Sequence, residues 1–293
     1  MIRQLIVVRP GPLTTVQDLG RSGWAHLGVP TSGAADRASL RLANRLVGNP
    51  ETAAGLEITL GGLELRAAGD LTVAVTGAAG PITVAGRPSP SRAVLWVPSG
   101  ATVRLDPAAT GLRAYLAVRG GLDVKPVLGS RSTDTLSGLG PPVPVPGDRL
   151  NVGTEVAGWP LVSVAPGADP PGGTVRLDVV PGPRDDALAP GGLEALRQTR
   201  WRVSDRSDRV GLRLEGPPLM VRDRPGMASE GVVRGAIQVP PGGLPVLFLA
   251  DHPVTGGYPV VAVLTETDVD RAGQLRPGQG LEFTVLGGSD HEL

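Results

Sequence analysis

Residues 10–49 read PGPLTTVQDLGRSGWAHLGVPTSGAADRASLRLANRLVGN. Thr14, Thr15, Gln17, Asp18, Arg21, Ser32 and Asp36 are set between Gly11, Gly20, Gly23, Gly28 and Gly33. Side-chain donors and acceptors at that density can grip a polar ligand and pass a proton. A long irregular loop is where such residues build sites. The same composition suits a surface loop pinned by its own side-chain to backbone hydrogen bonds, and both readings stand at this point.

Three further clusters carry chemistry. Arg119-Gly120-Gly121-Leu122-Asp123 leads to Gly129-Ser130-Arg131-Ser132-Thr133-Asp134. Arginines and hydroxyls beside glycines can hold a carboxylate or a phosphate, although arginines on a wet loop look the same. Asp205, Arg206, Asp208 and Arg209 alternate in sign and read as a solvated turn, whereas Glu230, between Ser229 and Gly231, is a candidate functional carboxylate. The stretch from Ala250 to Pro259 brings Asp251, His252, Thr255 and Tyr258 onto one loop with a Gly256-Gly257 pair. Glycine lets a backbone approach a ligand closely.

Other chemistries lack their residues. Cysteine is absent, so no disulfide, thiolate nucleophile or thiolate metal site exists. The histidines are His26, His252 and His291, too few and too scattered for a three-histidine centre; no metal site is expected. No Gly-Lys pair forms a phosphate loop, and no HExxH or GxSxG run appears. Lys125 is the only lysine, and without flanking methionines it does not read as a biotin attachment site. With 28 basic and 28 acidic residues the net charge is zero, which argues against a nonspecific nucleic-acid surface.

The elements that must position these residues are mostly strands. At 293 residues the chain is long for one core, given roughly 100–200 residues per domain. Its glycines and prolines punctuate short Val/Leu/Ile/Ala blocks, the pattern of many short strands and tight turns. Strands are expected at Leu5–Val8, Leu56–Leu60, Leu63–Ala67, Leu71–Thr76, Ile82–Val84, Ala93–Val97, Thr102–Leu105 and Arg113–Val118. After the linker-like APGADPPGG at 165–173 they resume at Thr174–Val180, Val210–Leu214, Val232–Val239, Val246–Ala250, Val260–Leu264 and Glu282–Leu286. Helices are expected from Ala35 to Leu46, near Leu193–Gln198 and at Asp268–Gln274 with Thr267 as N-cap. The expectation is a mainly-β chain with β-domains at 1–165 and 174–293. No membrane-length apolar run or signal segment is evident, so a cytoplasmic location is expected.

The motifs TTVQDLGRSG (14–23), GVPTSGAADRASLRLANRLVGN (28–49) and LAVRGGLDVKPVLGSRSTDT (116–135) resemble the biotin-dependent carboxyltransferase-like family, which includes 5-oxoprolinase C subunits. SDRVGLRLEG (207–216), SEGVVRGAIQVP (229–240) and DHPVTGGYPVVAV (251–263) extend the resemblance almost end to end. It implies two tandem cyclophilin-like β-barrel domains with a few short helices. It also implies one subunit of an ATP-dependent (magnesium-using) complex that opens 5-oxo-L-proline to L-glutamate, beside a B-type and an A-type subunit. A urea-type carboxyltransferase component working with biotin on a separate carrier, or a non-catalytic partner-binding regulator, are the alternatives. On this resemblance Asp18, Asp36 and Glu230 are the candidate catalytic residues. Gln17, Arg21, Ser32, Arg119, Arg131, Ser132, Gln238, Asp251, His252, Thr255 and Tyr258 are the candidate substrate contacts. The chain departs from the family pattern at His252, where many relatives carry glutamine, and at Ala35, where many carry methionine.

Overall fold

The computed structural model describes residues 3–160, 162–222 and 227–286. His291 lies outside them. The chain divides into two compact units, one of residues 1–21 and 32–170, the other of residues 22–31 and 171–293.

The first unit runs β1 (Gln4–Pro10), β2 (Leu13–Gln17), α1 (Arg37–Leu46), β3 (Gly55–Thr59), β4 (Leu63–Ala68), β5 (Leu71–Gly77), β6 (Ile82–Val84), β7 (Arg87–Ser89), β8 (Val94–Val97), β9 (Thr102–Leu105), β10 (Arg113–Val118) and β11 (Arg149–Asn151). These strands form a six-stranded sheet, β11-β1-β4-β9-β6-β7, and a five-stranded sheet, β2-β3-β10-β5-β8. One core takes Leu5, Val7, Leu63 and Leu65 from the first sheet and Val16, Leu56, Ile58, Val73, Val75, Leu116 and Val118 from the second. The opposite face of the five-stranded sheet is covered by α1 and its C-cap residue Val47, where Ala43, Leu46 and Val47 pack on Ala74 and Ala117. Strand β10 is therefore buried at every position and shows no alternation.

The polar run Leu13–Gln17 differs from the loop expected of it: it is strand β2, paired in register with β3 from Leu13↔Thr59 to Gln17↔Gly55. Threonine's branched Cβ suits a strand. The polar atoms are satisfied locally, with the Thr14 hydroxyl donating to Pro10 O at 2.6 Å and Gln17 Nε2 to Thr133 O at 2.8 Å.

The second unit runs β12 (Val175–Pro181), α2 (Gly192–Gln198), β13 (Trp201–Val203), β14 (Gly211–Glu215), β15 (Glu230–Gly231), β16 (Ala236–Gln238), β17 (Val246–Phe248), β18 (Thr255–Gly256), β19 (Val260–Leu264), α3 (Glu266–Ala272) and β20 (Gly280–Val285). Strands β12-β19-β16-β17-β14-β13-β20 close into a barrel around Leu177, Val203, Leu212, Ile237, Leu247, Val261 and Phe283, while β15 and β18 pair alone. The strand expected over Val232–Val239 is thus shorter and is preceded by this separate ladder. Helix α3 starts two residues earlier than expected, with Thr265 and not Thr267 at its N-cap position. The mainly-β reading holds, with three short α-helices among the described residues.

Candidate functional site

In the first unit the N-terminal and the 130–134 clusters fold into one buried knot. Asp18 Oδ1 accepts from the Ser130 hydroxyl (2.6 Å), the Ser132 hydroxyl (2.5 Å) and Gly20 N (2.8 Å). Its Oδ2 accepts from Arg131 N at 2.6 Å. Asp18 N in turn donates to Ser132 Oγ at 3.1 Å. Buried Gln17 reaches Thr15 Oγ1 and Thr133 O, and the Ser32 hydroxyl also donates to Thr133 O. Buried Arg21 donates through one terminal nitrogen to Ser132 O, and its other lies 3.9 Å from Asp134 Oδ2. Asp134 itself accepts from Leu136 N, Ser137 N and the Ser137 hydroxyl. Gly33 sits at φ +94°, where a Cβ would meet Gly20 N at 2.8 Å, so the close approach of these two segments requires glycine.

Asp36 is placed one step away, as the N-cap of α1. Its carboxylate accepts from Ser39 N (2.9 Å) and the Ser39 hydroxyl (2.6 Å). Beneath this cap lie groups that the sequence reading did not single out. Tyr115 and Glu57 are directly opposed in the β10–β3 register, on the α1 side of the sheet. The Tyr115 hydroxyl donates to Glu57 Oε2 at 2.9 Å and accepts from Asp36 N at 2.8 Å; Ala35 N also donates to Glu57 Oε2, at 2.9 Å. Arg113 Nε lies 3.2 Å from Glu57 Oε1. Burial first, then the Glu57 and Asp36 carboxylates, push the Tyr115 phenol well above its ordinary pKa, against a smaller opposite effect of Arg113. The available signal was a carboxylate inside GLEIT, an otherwise apolar strand.

The two arginines expected to grip an anion are both engaged with backbone. Arg131 Nε donates to Val124 O at 2.7 Å. Arg119 donates to Val47 O (2.8 Å) and Gly158 O (2.6 Å), with its guanidinium 3.6 Å over the Trp159 ring.

In the second unit Arg209, expected in a solvated turn, is buried and bidentate to Asp251: Nε–Oδ2 2.8 Å and NH2–Oδ1 3.1 Å. The charge alternation around it misleads because its partner lies 42 residues on. Gln238 ends β16, donating through Nε2 to Tyr258 O at 2.9 Å, and a Cβ on Gly256 would collide with its amide at 2.5 Å. His252 Nδ1 lies 2.8 Å from Pro253 O, and its ring is 6.2 Å from that of Phe248. The β15–β18 ladder pairs Glu230 with Gly256 and Gly231 with Thr255. This register sets Glu230 opposite Gly256, which lies against the Gln238 amide that also donates to Tyr258 O. Arg184, another residue missed from sequence, grips the Glu230 carboxylate through both Nε and NH2. Hydrogen bonding from Arg184 holds the Glu230 carboxyl below the usual carboxylate range. Thr255 and Tyr258 are solvent-exposed and the Arg184–Glu230 pair is half-buried, so this end of the barrel offers a cation, a carboxylate, a hydroxyl, a phenol and an amide to a small polar molecule. Among the described residues no three His, Cys, Asp or Glu side chains cluster so as to hold a metal ion, and no helix is long and apolar enough to cross a membrane.

The profile of the carboxyltransferase domain, subdomains A and B, matches residues 27–285, and the chain belongs to this family. It is 36% identical over 282 residues to the C subunit of 5-oxoprolinase from Escherichia coli, covering 95% of this chain and 90% of that one. Among solved structures it is similar to TTHA0988, with a TM-score of 0.85 and 38% identity, over 97% of this chain and 55% of that chain. It is similar also to the urea amidolyase of K. lactis, with a TM-score of 0.91 and 31% identity, over 97% of this chain and 19% of that chain. The chain thus spans a little over half of the first solved relative and about a fifth of the second.

Proposed function

We propose that this chain is the C subunit of an ATP-dependent 5-oxoprolinase, a cytoplasmic complex with B-type and A-type subunits that opens 5-oxo-L-proline to L-glutamate. The observation that carries the reading is the near end-to-end match to the E. coli 5-oxoprolinase C subunit, 95% of one chain against 90% of the other. The two β units are read as tandem cyclophilin-like domains, with the division proposed at the 165–173 linker.

The substrate carries a carboxylate and a lactam amide. At the open end of the second unit, Arg184 can meet the carboxylate while Thr255 and Tyr258 orient the ring amide through hydrogen bonds. Glu230, next to these groups in the ladder, is the candidate proton-transfer residue. Gln238 is fixed by Tyr258 O, and buried His252, held at Pro253 O, belongs to the same 250–259 loop. In this reading Asp18, Gln17, Arg21, Ser32, Arg131 and Ser132 hold the first unit's loops in place, and Asp36 starts α1. The residues present do not fit a nucleotide site. There is no glycine loop ending in lysine, Lys125 is exposed, and no acidic cluster suits magnesium among the described residues. In this reading ATP and magnesium are used by the complex as a whole, and any biotin is carried on another chain.

A carboxyltransferase role is favoured by one specific observation, the 0.91 TM-score to a urea amidolyase. The test is glutamate and ADP release from 5-oxoproline by this chain co-expressed with its A-type and B-type subunits, with and without avidin. Avidin-insensitive turnover that disappears when this chain is left out supports the proposal. Avidin-sensitive, bicarbonate-dependent turnover of urea refutes it in favour of the alternative.

A further inference from the structure

Glu230 reaches its site from β15, a strand of two residues that pairs with β18 and stands outside the barrel. A two-stranded ladder this short has little stability of its own, so the barrel must hold it in place. One hold is apolar. At the end of the ladder away from Glu230, Val232 N donates to Val254 O at 2.9 Å, and Val232 is buried with Ala236, Phe248 and Val260. Ala236 and Gln238 share that face of β16, whereas Ile237 between them joins the barrel core.

The other hold is the Gln238 amide. Strand β16 meets β19 with a register shift: Ile237 is opposite Ala262, but Gln238 is opposite Val260. Val261 is the extra residue, and both it and Ala262 turn to the core. A bulge of this kind re-aims the side chains beside it. Gln238 is 4% exposed, and its Nε2 donates to Tyr258 O at 2.9 Å. Gly256, the ladder partner of Glu230, lies against the same amide, where a Cβ would stand 2.5 Å from Nε2 and 3.1 Å from Oε1. Gly256 is not among the glycines with positive φ, so what glycine supplies at this position is room and not backbone freedom. A single buried amide thus touches β18 at Gly256 and ties down the chain two residues further on.

On the reading of the site given above, we propose that Gln238 is its positioning residue. The amide sets where β18 lies through Gly256 and Tyr258 O, and β18, through the ladder, sets the Glu230 carboxylate against Arg184. Gln238 then acts through Glu230 and not by touching substrate. A two-pronged arginine–carboxylate pair is demanding in geometry, and a displacement of about 1 Å in a reacting group can cost about a hundredfold in rate.

The test has a structural and a kinetic arm. The structural arm is an NMR titration of the glutamate carboxyl carbons in the full chain, with Glu230→Gln to assign the Glu230 signal. Wild-type Glu230 is expected to titrate below the ordinary glutamate value because Arg184 holds it ionised. Gln238→Met keeps the volume and removes the donor, and Gly256→Ala pushes a methyl group into the amide. Both are expected to raise the Glu230 titration toward the ordinary value while Glu282, held by Arg176 and Arg200, stays unmoved as the control for general loosening. In the kinetic arm, both are expected to lower kcat of the assembled complex about tenfold or more, with the acid limb of the pH profile moving in the same direction. Gly256→Ala/Gln238→Asn, with the amide withdrawn by one methylene, is expected to lose no more than Gln238→Asn alone. An unmoved Glu230 titration in Gln238→Met and Gly256→Ala overturns the inference, and so does additive loss in the double variant. Wild-type turnover in Glu230→Gln overturns the reading of the site itself, and this inference with it, whatever the titrations give.

Discussion

Replacing Asp18 by asparagine tests whether the most reactive-looking carboxylate in the chain is a structural anchor. Four donors converge on it: two serine hydroxyls and the amides of Gly20 and Arg131. The side-chain oxygen of the introduced asparagine can keep the three donors now on Oδ1, but its NH2 group then faces the Arg131 N–H, donor against donor. That orphans a donor in a largely buried setting, at about 1–3 kcal/mol. The three remaining bonds go from a charged to a neutral acceptor, weakening by about 0.5 kcal/mol each on the rule that charge-assisted bonds are roughly twice as strong. The sum is about 2.5–4.5 kcal/mol, which for a unit of this size lowers the melting temperature by about 5–18 °C. Differential scanning calorimetry of the full chain, paired with turnover of the assembled complex below the variant's transition, separates the two roles. The anchor role requires a large thermal shift with turnover retained where the variant is folded. A transition within about 2 °C of wild type, together with abolished turnover, would refute the reasoning and return Asp18 to the chemistry.

In a Tyr258→Phe background Tyr115 is the sole tyrosine; its raised folded pKa means its stabilising contribution is full below the unfolded value near 10 and is lost as pH rises through the folded value. Absorbance at alkaline pH is expected to show phenolate appearing only together with unfolding, and an early phenolate step with the fold intact would contradict the buried Glu57 contact. Asp251→Asn leaves the Arg209 guanidinium buried against a neutral partner and is expected to cost about 3–5 kcal/mol by urea denaturation, whereas Arg209→Met/Asp251→Leu is expected to recover most of it. Gly48→Ala places a Cβ 1.9 Å from Gly158 O at a φ of +68°, so the 157–159 segment must detach; faster limited proteolysis there and altered tryptophan emission are the expected readouts, with the barrel unit unaffected.

How much of this was legible in the sequence depended on distance along the chain. Ile82–Val84, Thr102–Leu105, Arg113–Val118 and Val260–Leu264 end where expected because turn formers or a change of hydropathy bracket each apolar block. Strand β2 was hidden because its threonines and Gln17 look wet. They are dry because Thr133, 116 residues from Gln17, supplies a carbonyl. Arg209 misled for the same reason, having its carboxylate partner 42 residues away. Local periodicity reports which face a residue occupies, not whether a distant segment arrives to satisfy it.

The same distinction bears on where the chemistry lies. The clusters that looked functional from composition divide into side chains whose hydrogen-bonding capacity is spent inside the fold and side chains that still face water. Asp18 and Asp36 belong to the first group, each carboxylate taken up by serine hydroxyls and backbone amides. Glu230, Thr255 and Tyr258 belong to the second. A catalytic group must be able to exchange its partner for substrate, and a half-buried Arg184–Glu230 pair can do so at little cost, since ion pairs with that much solvent access are worth only about 0–1 kcal/mol. Substrate carboxylate can displace Glu230 from Arg184, and doing so frees the Glu230 carboxylate at the moment substrate arrives. Loss of Arg184 also removes the hydrogen bond that depresses the Glu230 pKa, which makes the carboxylate a stronger base when it is needed. In the proposed reading the small polar substrate is therefore bound and turned over at the open ladder of the second unit and not at the polar knot of the first.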